Sequence, residues 1–288
     1  MVELLKPITW FPPMWAFGCG AVSVSIGYER WPYVLGGALL AGPLICGTSQ
    51  AVNDWFDRHV DAINEPHRVI PSGRLPGRTG LHVAIVWTFL SLGVASLLGQ
   101  WVFVAALAGL ALAWAYSAPP FRLKANGWYG NAAVGFSYET LPWITAAAAA
   151  TGALPPIEVI AVALLYGLGA HGILTLNDFK AIEGDKRMGI KSLPVQIGVR
   201  PAAWLASATM FLAQLGVIAL LAAWGKPLFA TVVGVLLAVQ AACMVRLVRD
   251  PVKNAVWYSA IGIGLYVLGM LASAFALAAL ANVSEGGL

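Results

Sequence analysis

Charge is what this 288-residue sequence has least of. Only 10% of its side chains are charged, 17 Lys or Arg and 13 Asp or Glu, against 59% hydrophobic residues. A soluble domain carries about 25% charged residues, so this composition could not keep a surface wet. Disorder is excluded on the same ground, because disordered chains are poor in apolar residues and rich in charge. Cysteine is scarce too. Cys19, Cys46 and Cys243 each lie inside an apolar run, which excludes a disulfide framework and a thiolate metal centre. Alternating strands of about ten residues, the pattern of a membrane β-barrel, are missing as well. No cleavable leader is expected, since the first apolar stretch follows Pro7 closely and carries Trp10 and Trp15 as interfacial anchors. What is left is an all-α integral membrane protein, with mean hydropathy +0.77.

Apolar runs fall at 13–28, 34–53, 81–99, 101–117, 129–149, 157–177, 201–223, 228–247 and 255–281. Each approaches the roughly 20 residues that cross a bilayer, so about nine transmembrane helices are expected. Only Gly99-Gln100 divides the third run from the fourth. Unbroken, 81–117 would be a helix about 55 Å long, nearly twice the hydrocarbon thickness. Charge agrees with the split. Nine spans place 15 of the 17 basic residues on the face of the N-terminus, leaving only Arg30 and Lys226 opposite. The positive-inside rule makes that face cytoplasmic. The net charge of +4 then points to lipid headgroups or phosphate, and not to nucleic acid.

Two long connections on that face open with the same dipeptide, Asn53-Asp54 and Asn177-Asp178. The repeat suggests a single domain over 1–288 built from two related halves, about 1–150 and 151–288. Asp54, Asp57 and Asp61 stand at i, i+3 and i+7, one face of a helix if the second span continues, and Gln50 extends that face one turn inward. Asp178 and Asp185 repeat the seven-residue spacing, with Glu183 nearby. Like charges so stacked repel unless a cation lies between them. Oxygen-only ligands favour a hard ion, and Mg²⁺ is usually held by a few carboxylates together with substrate phosphates. Arg68, Arg122, Lys124, Lys186, Arg187 and Lys191 flank the acids and could grip phosphate oxygens. Deeper in the membrane, Glu139 lies about 15 Å into the fifth span, and His171 is two turns before Asp178 on the same helix face. A Glu139–His171 or Glu139–Tyr138 hydrogen bond is expected there. The alternative for this depth is contact with a substrate, His171 approaching a bound metal as an axial ligand.

NDWFDRHVDAINEPHRVIPSGRLPG (53–77), YSAPPFRLK (116–124) and NDFKAIEGDKRMGIKSLP (177–194) resemble loops of the membrane-embedded aromatic prenyltransferase (UbiA) superfamily. KPITWFPPMWAF (6–17), GFSYETLPW (135–143) and the second acidic motif are most similar to its tetrapyrrole-esterifying branch. The resemblance implies nine helices around a central cavity, with Mg²⁺ at the cytoplasmic end. It assigns Asn53, Asp54, Asp57 and Asp61 to one metal site and Asp178 and Asp185 to another, with Asp54, Asp57, Asp178 and Asp185 catalytic. Arg68, Arg122, Lys124 and Lys191 fall where diphosphate contacts are expected. Gln50, Tyr138, Glu139 and His171 are candidates for the pigment or prenyl pocket. One departure concerns the second motif, where Ala181 replaces an acid common in relatives and Asn177 a common lysine.

The activity so implied is transfer of a geranylgeranyl or phytyl group from its diphosphate to the propionate of bacteriochlorophyllide, or of chlorophyllide. An inner or photosynthetic membrane and partners in pigment biosynthesis or photosystem assembly would follow. The rival within the superfamily is ring C-alkylation in quinone or tocopherol pathways. A transporter or pigment-binding protein is the rival outside it. Two related halves suit a transporter, but a transporter's key acids lie at the midplane, whereas these gather at one rim.

Overall fold

A computed structural model describes residues 2–285, with side chains through Ala281; Met1 and residues 286–288, the ends of the expected 1–288 domain, lie outside it. In chain order the helices are α1 (Phe11–Val22), α2 (Trp31–Leu39), α3 (Gly47–Asn64), α4 (Thr79–Leu98), α5 (Gln100–Ser117), α6 (Gly127–Gly135) and α7 (Leu141–Thr151). They continue as α8 (Ile157–Asp178), α9 (Ile182–Met188), α10 (Leu193–Ile197), α11 (Val199–Ala223), α12 (Pro227–Arg249) and α13 (Pro251–Glu285). Among the described residues there is no strand, only an isolated parallel bridge between Asn126 and Lys191. The all-α expectation holds.

Among the described residues, seven helical runs are long and apolar enough to cross a membrane: Tyr28–Asn64, Thr79–Leu98, Gln100–Ser117, Ile157–Asp178, Val199–Ala223, Pro227–Arg249 and Pro251–Ala281. The expected count of about nine includes two further helical segments that are shorter or less apolar than these. The first expected span, 13–28, is only the 12-residue α1, about 18 Å of helix against about 30 Å of hydrocarbon. The fifth, 129–149, is helical throughout and carries Asn131 and Glu139 within it. The doubtful split is real. Gly99 takes φ +122 between α4 and α5, a conformation open to glycine alone.

Two segments widen into π-helical turns, Leu40–Cys46 and Phe136–Thr140. The first contains Pro43, and Pro142 follows the second by two residues. A proline lacks the N–H and clashes with the carbonyl four residues back, so the local ladder must rearrange. Glu139 sits on the second of these turns.

The chain forms two compact units. One comprises 1–21, 26–123 and 141–154, and the other 22–25, 124–140 and 155–288. In the first, α3 packs on α4 and α5, and α7 packs on α2 and α5. Leu4, Leu5, Ala51, Val52, Val69, Val83 and Ala84 bury one apolar cluster there, which fixes the N-terminal segment against α3. In the second, α8 packs on α6 and α11, and α11, α12 and α13 pack on one another. Small residues permit these approaches. A Cβ on Gly172 would lie 2.3 Å from the Ala206 carbonyl oxygen, so α8 and α11 meet backbone to backbone. Buried polar bonds join the same helices: Gln214 Nε2 donates to Gln240 Oε1 at 2.6 Å, and the Tyr266 hydroxyl to the Tyr166 carbonyl at 2.7 Å.

Candidate active site

The Tyr28–Asn64 run is 37 residues long. At 1.5 Å per residue, Asp54 lies about 35 Å along the axis from Trp31, a length greater than the roughly 30 Å of a hydrocarbon core. α3 keeps its helical form through Asp54, Asp57 and Asp61, so the three acids share a face as the spacing required. Asp54 and Asp61 are buried and Asp57 is half-buried. Each meets a cation. Lys6 Nζ is 2.5 Å from Asp54 Oδ1. Arg68 donates to Asp61 Oδ2 at 2.9 Å and stands 3.5 Å from Asp54 Oδ1. Arg122 Nη2 is 3.9 Å from Asp57 Oδ1. Burial works against the charge on Arg68, and Asp61 and Asp54 outweigh it, so its pKa lies above the ordinary arginine value. Asn53, one turn before Asp57, donates to Ser117 Oγ at 3.3 Å. Gln50, one turn before Asp54, is half-buried.

The second acidic motif is built differently. α8 ends at Asp178, where the first motif's helix ran ten residues beyond its Asn-Asp pair. Turn bonds from Lys180 N to Asn177 O and from Ala181 N to Asp178 O stop the helix, and α9 restarts after Ala181. Asn131 on α6 donates to Thr175 Oγ1 at 3.2 Å and to Asp178 Oδ2 at 3.3 Å. Asp185 is buried on α9. Glu183 is exposed and pairs with Lys186 at 3.8 Å. Lys191 is strapped to the start of α6, its N–H donating to Ala125 O at 2.9 Å and its carbonyl accepting from Gly127 N at 2.7 Å. This backbone pairing draws Lys191 to the neighbourhood of Lys124, two residues expected to share one role.

Burial raises the Asp185 carboxyl above its ordinary range. The folded, metal-free chain therefore binds this proton more tightly than the unfolded chain does, and the charged form costs stability as pH rises through the raised pKa. Asp185→Asn is expected to stabilise the metal-free protein near neutral pH and to lose that gain below the ordinary carboxyl range, where Asp185 is neutral in both states. Thermal unfolding in detergent across pH checks this.

Every candidate ligand is an oxygen, and none of the donors is soft. Among the described residues, no three His, Cys, Asp or Glu side chains gather closely enough to hold a metal by themselves. Mg²⁺ asks for one or two carboxylates and takes its other ligands from water and substrate phosphates. The donor set fits an ion that arrives with a diphosphate.

Among the residues expected within the membrane, Glu139 is on the π-helical turn Phe136–Thr140 and His171 is on α8. Glu139 and His171 are buried, and neither Glu139 Oε2 nor His171 Nδ1 has a hydrogen-bond partner among the described residues. The expected Glu139–His171 and Glu139–Tyr138 bonds are thus not made through these atoms. The His171 ring lies 5.9 Å from that of Trp128, tilted by 37°. Tyr138 is half-buried on the π turn beside Glu139. Sequence reasoning missed Lys6 and Asn131 as partners of the acids. Lys6 had counted only toward topology. Asn131 had a signal that went unused, a lone amide in an apolar helix.

Known proteins resemble this chain in sequence and in fold. The UbiA prenyltransferase family model matches residues 9–263. The bacteriochlorophyll synthase 33 kDa chain of Cereibacter sphaeroides is 54% identical, the match covering 96% of this chain and 92% of that one. The chloroplastic chlorophyll synthase of Arabidopsis thaliana is 40% identical, over 96% of this chain and 73% of that one. A UbiA homolog from Archaeoglobus fulgidus, solved bound to GPP and Mg²⁺, superposes with TM-score 0.67 at 21% identity, over 94% of this chain and 98% of that one. That likeness shows the fold. A match over most of the length, with both acidic motifs inside it, makes this chain a member of the UbiA prenyltransferase family.

Proposed function

We propose that this prenyltransferase transfers a geranylgeranyl or phytyl group from its diphosphate to the propionate carboxylate of bacteriochlorophyllide, releasing pyrophosphate. The observation that carries the reading is the 54% identity, over 96% of the chain, to the bacteriochlorophyll synthase of Cereibacter sphaeroides. Chlorophyllide is the second acceptor to consider, because the Arabidopsis chlorophyll synthase is 40% identical over the same share. The one-sided distribution of basic residues supports a cytoplasmic N-terminus and active-site loops, in an inner or photosynthetic membrane.

In this reading Asp54, Asp57 and Asp61, with Asn53 beside them, hold one Mg²⁺, and Asp178 and Asp185 hold another. When bound, Mg²⁺ neutralises charge on the departing diphosphate. Arg68, Arg122, Lys124 and Lys191 grip the same diphosphate and stabilise the charge that develops as its C–O bond breaks. The electron pair of that bond stays with the diphosphate oxygen. A propionate oxygen, already ionised at neutral pH, forms the new C–O bond, so no general base is required. Gln50, Tyr138, Glu139 and His171 serve the apolar side, where a dry pocket keeps water from the electron-poor carbon. The unpartnered atoms of Glu139 and His171 support a role in contacting the acceptor, since polar groups left unsatisfied inside a protein are rare.

The test is to offer acceptors side by side. With geranylgeranyl diphosphate and Mg²⁺, membranes containing the protein are expected to esterify bacteriochlorophyllide faster than chlorophyllide, and to leave 4-hydroxybenzoate and naphthoate acceptors unalkylated. A C-alkylated aromatic product would overturn the acceptor assignment.

A further inference from the structure

The contact between Lys6 and Asp54 has no place in the activity as described. Lys6 belongs to neither acidic motif, yet its ammonium lies 2.5 Å from an Asp54 that is only 2% exposed. Its backbone is held on every side. Leu4 and Leu5 are buried against Ala51 and Val52, Trp10 Nε1 donates to the Leu5 carbonyl at 2.8 Å, and Glu3 takes two bonds from Arg74, at 2.6 and 2.8 Å. Lys6 itself has φ +45, a region that side-chain-bearing residues avoid unless their surroundings enforce it. Among the described residues, the other non-glycine with positive φ is Arg122, at +40. Both strained residues present a cation to the acids of α3. Arg122 falls at a position where a diphosphate contact is expected.

Charge sharpens the point. Lys6 and Arg68 both approach the same atom, Asp54 Oδ1, at 2.5 and 3.5 Å. One oxygen has no need of two cations, and both lie on a carboxylate that is read as a metal ligand. A divalent ion arriving alone has to compete with them. An ion arriving with a diphosphate brings phosphate oxygens to which both cations can transfer. The side chain of Lys6 is 22% exposed, so its ammonium has a path outward while its backbone stays fixed.

We propose that Lys6 is a diphosphate-binding residue that rests on Asp54 and exchanges that carboxylate for phosphate oxygens when the metal diphosphate binds. The proposal rests on the reading of Asp54 as a metal ligand. It requires effects of opposite sign on metal and on diphosphate, which a purely structural ion pair would not give. The probes are Mn²⁺ alone, followed by electron paramagnetic resonance, and inorganic pyrophosphate with Mg²⁺, followed by calorimetry, both on the full chain in detergent. In Lys6→Met, Mn²⁺ is expected to bind severalfold more tightly, and pyrophosphate about tenfold more weakly, the scale of one hydrogen bond to a charged group. Lys6→Arg should keep pyrophosphate affinity within about twofold of the original, against that tenfold loss. Equal weakening of both probes in Lys6→Met, or no change in either, would overturn the exchange. Asp54→Asn separates the two levels. If it loses Mn²⁺ while Lys6→Met shifts nothing, only the exchange fails; if it keeps Mn²⁺, the metal assignment fails and the exchange with it.

Discussion

Asp54→Asn is expected to lower kcat/KM for the prenyl diphosphate by about a thousandfold, the scale of losing a preorganised electrostatic contact to a leaving group. The substitution keeps the size of the side chain and removes one charge from a position that is 2% exposed. It also strands Lys6 and loosens Arg68, which retains Asp61 at 2.9 Å. Losing one partner of a buried ion pair costs about 3–5 kcal/mol where the other charge is trapped. Here the loss should be smaller, about 1–2 kcal/mol, because Lys6 at 22% exposure can turn toward water. Steady-state kinetics and unfolding in detergent, measured together, check both halves. Turnover within tenfold of the original would remove Asp54 from the metal site.

Asp178→Asn is expected to be as damaging to turnover and almost harmless to the fold. Among the described residues no cation is paired with Asp178; its carboxylate accepts from Asn131 at 3.3 Å and from the Leu193 backbone. An asparagine at 178 can present its carbonyl oxygen to the same amide, and α8 still ends in the same turn. Activity should therefore fall by about a thousandfold with unfolding unchanged, in contrast to Asp54→Asn. Activity and stability falling together would mean that Asp178 organises the end of α8 and does not act on the diphosphate.

The acids of α3 were legible because helical periodicity is a strict ruler: residues at 54, 57 and 61 must share a face once the helix continues. The break at Gly99 was legible from length alone. The length of the first helix was less legible, since an apolar run does not say whether it is folded as 12 or 20 residues of helix. Contacts between residues far apart in the chain were illegible in principle. Lys6 reaches Asp54 across 48 positions and Asn131 reaches Asp178 across 47, and no period in a sequence encodes such pairings. The unlike endings of the two Asn-Asp motifs were hidden for a local reason. WFDRHVDAIN after Asp54 sustains a helix, whereas FKAIEG after Asp178 yields to a turn.

In the function proposed for this chain, acids and bases flanking these helix ends act on a metal diphosphate while the acceptor supplies a carboxylate. Pyrophosphate release by membranes containing the protein tests it most directly, with geranylgeranyl diphosphate, bacteriochlorophyllide and Mg²⁺ each present or withheld. Release is predicted only when all three are present, in a one-to-one ratio with the pigment ester. Release without the pigment, or ester formation undiminished by removal of divalent metal, would contradict it.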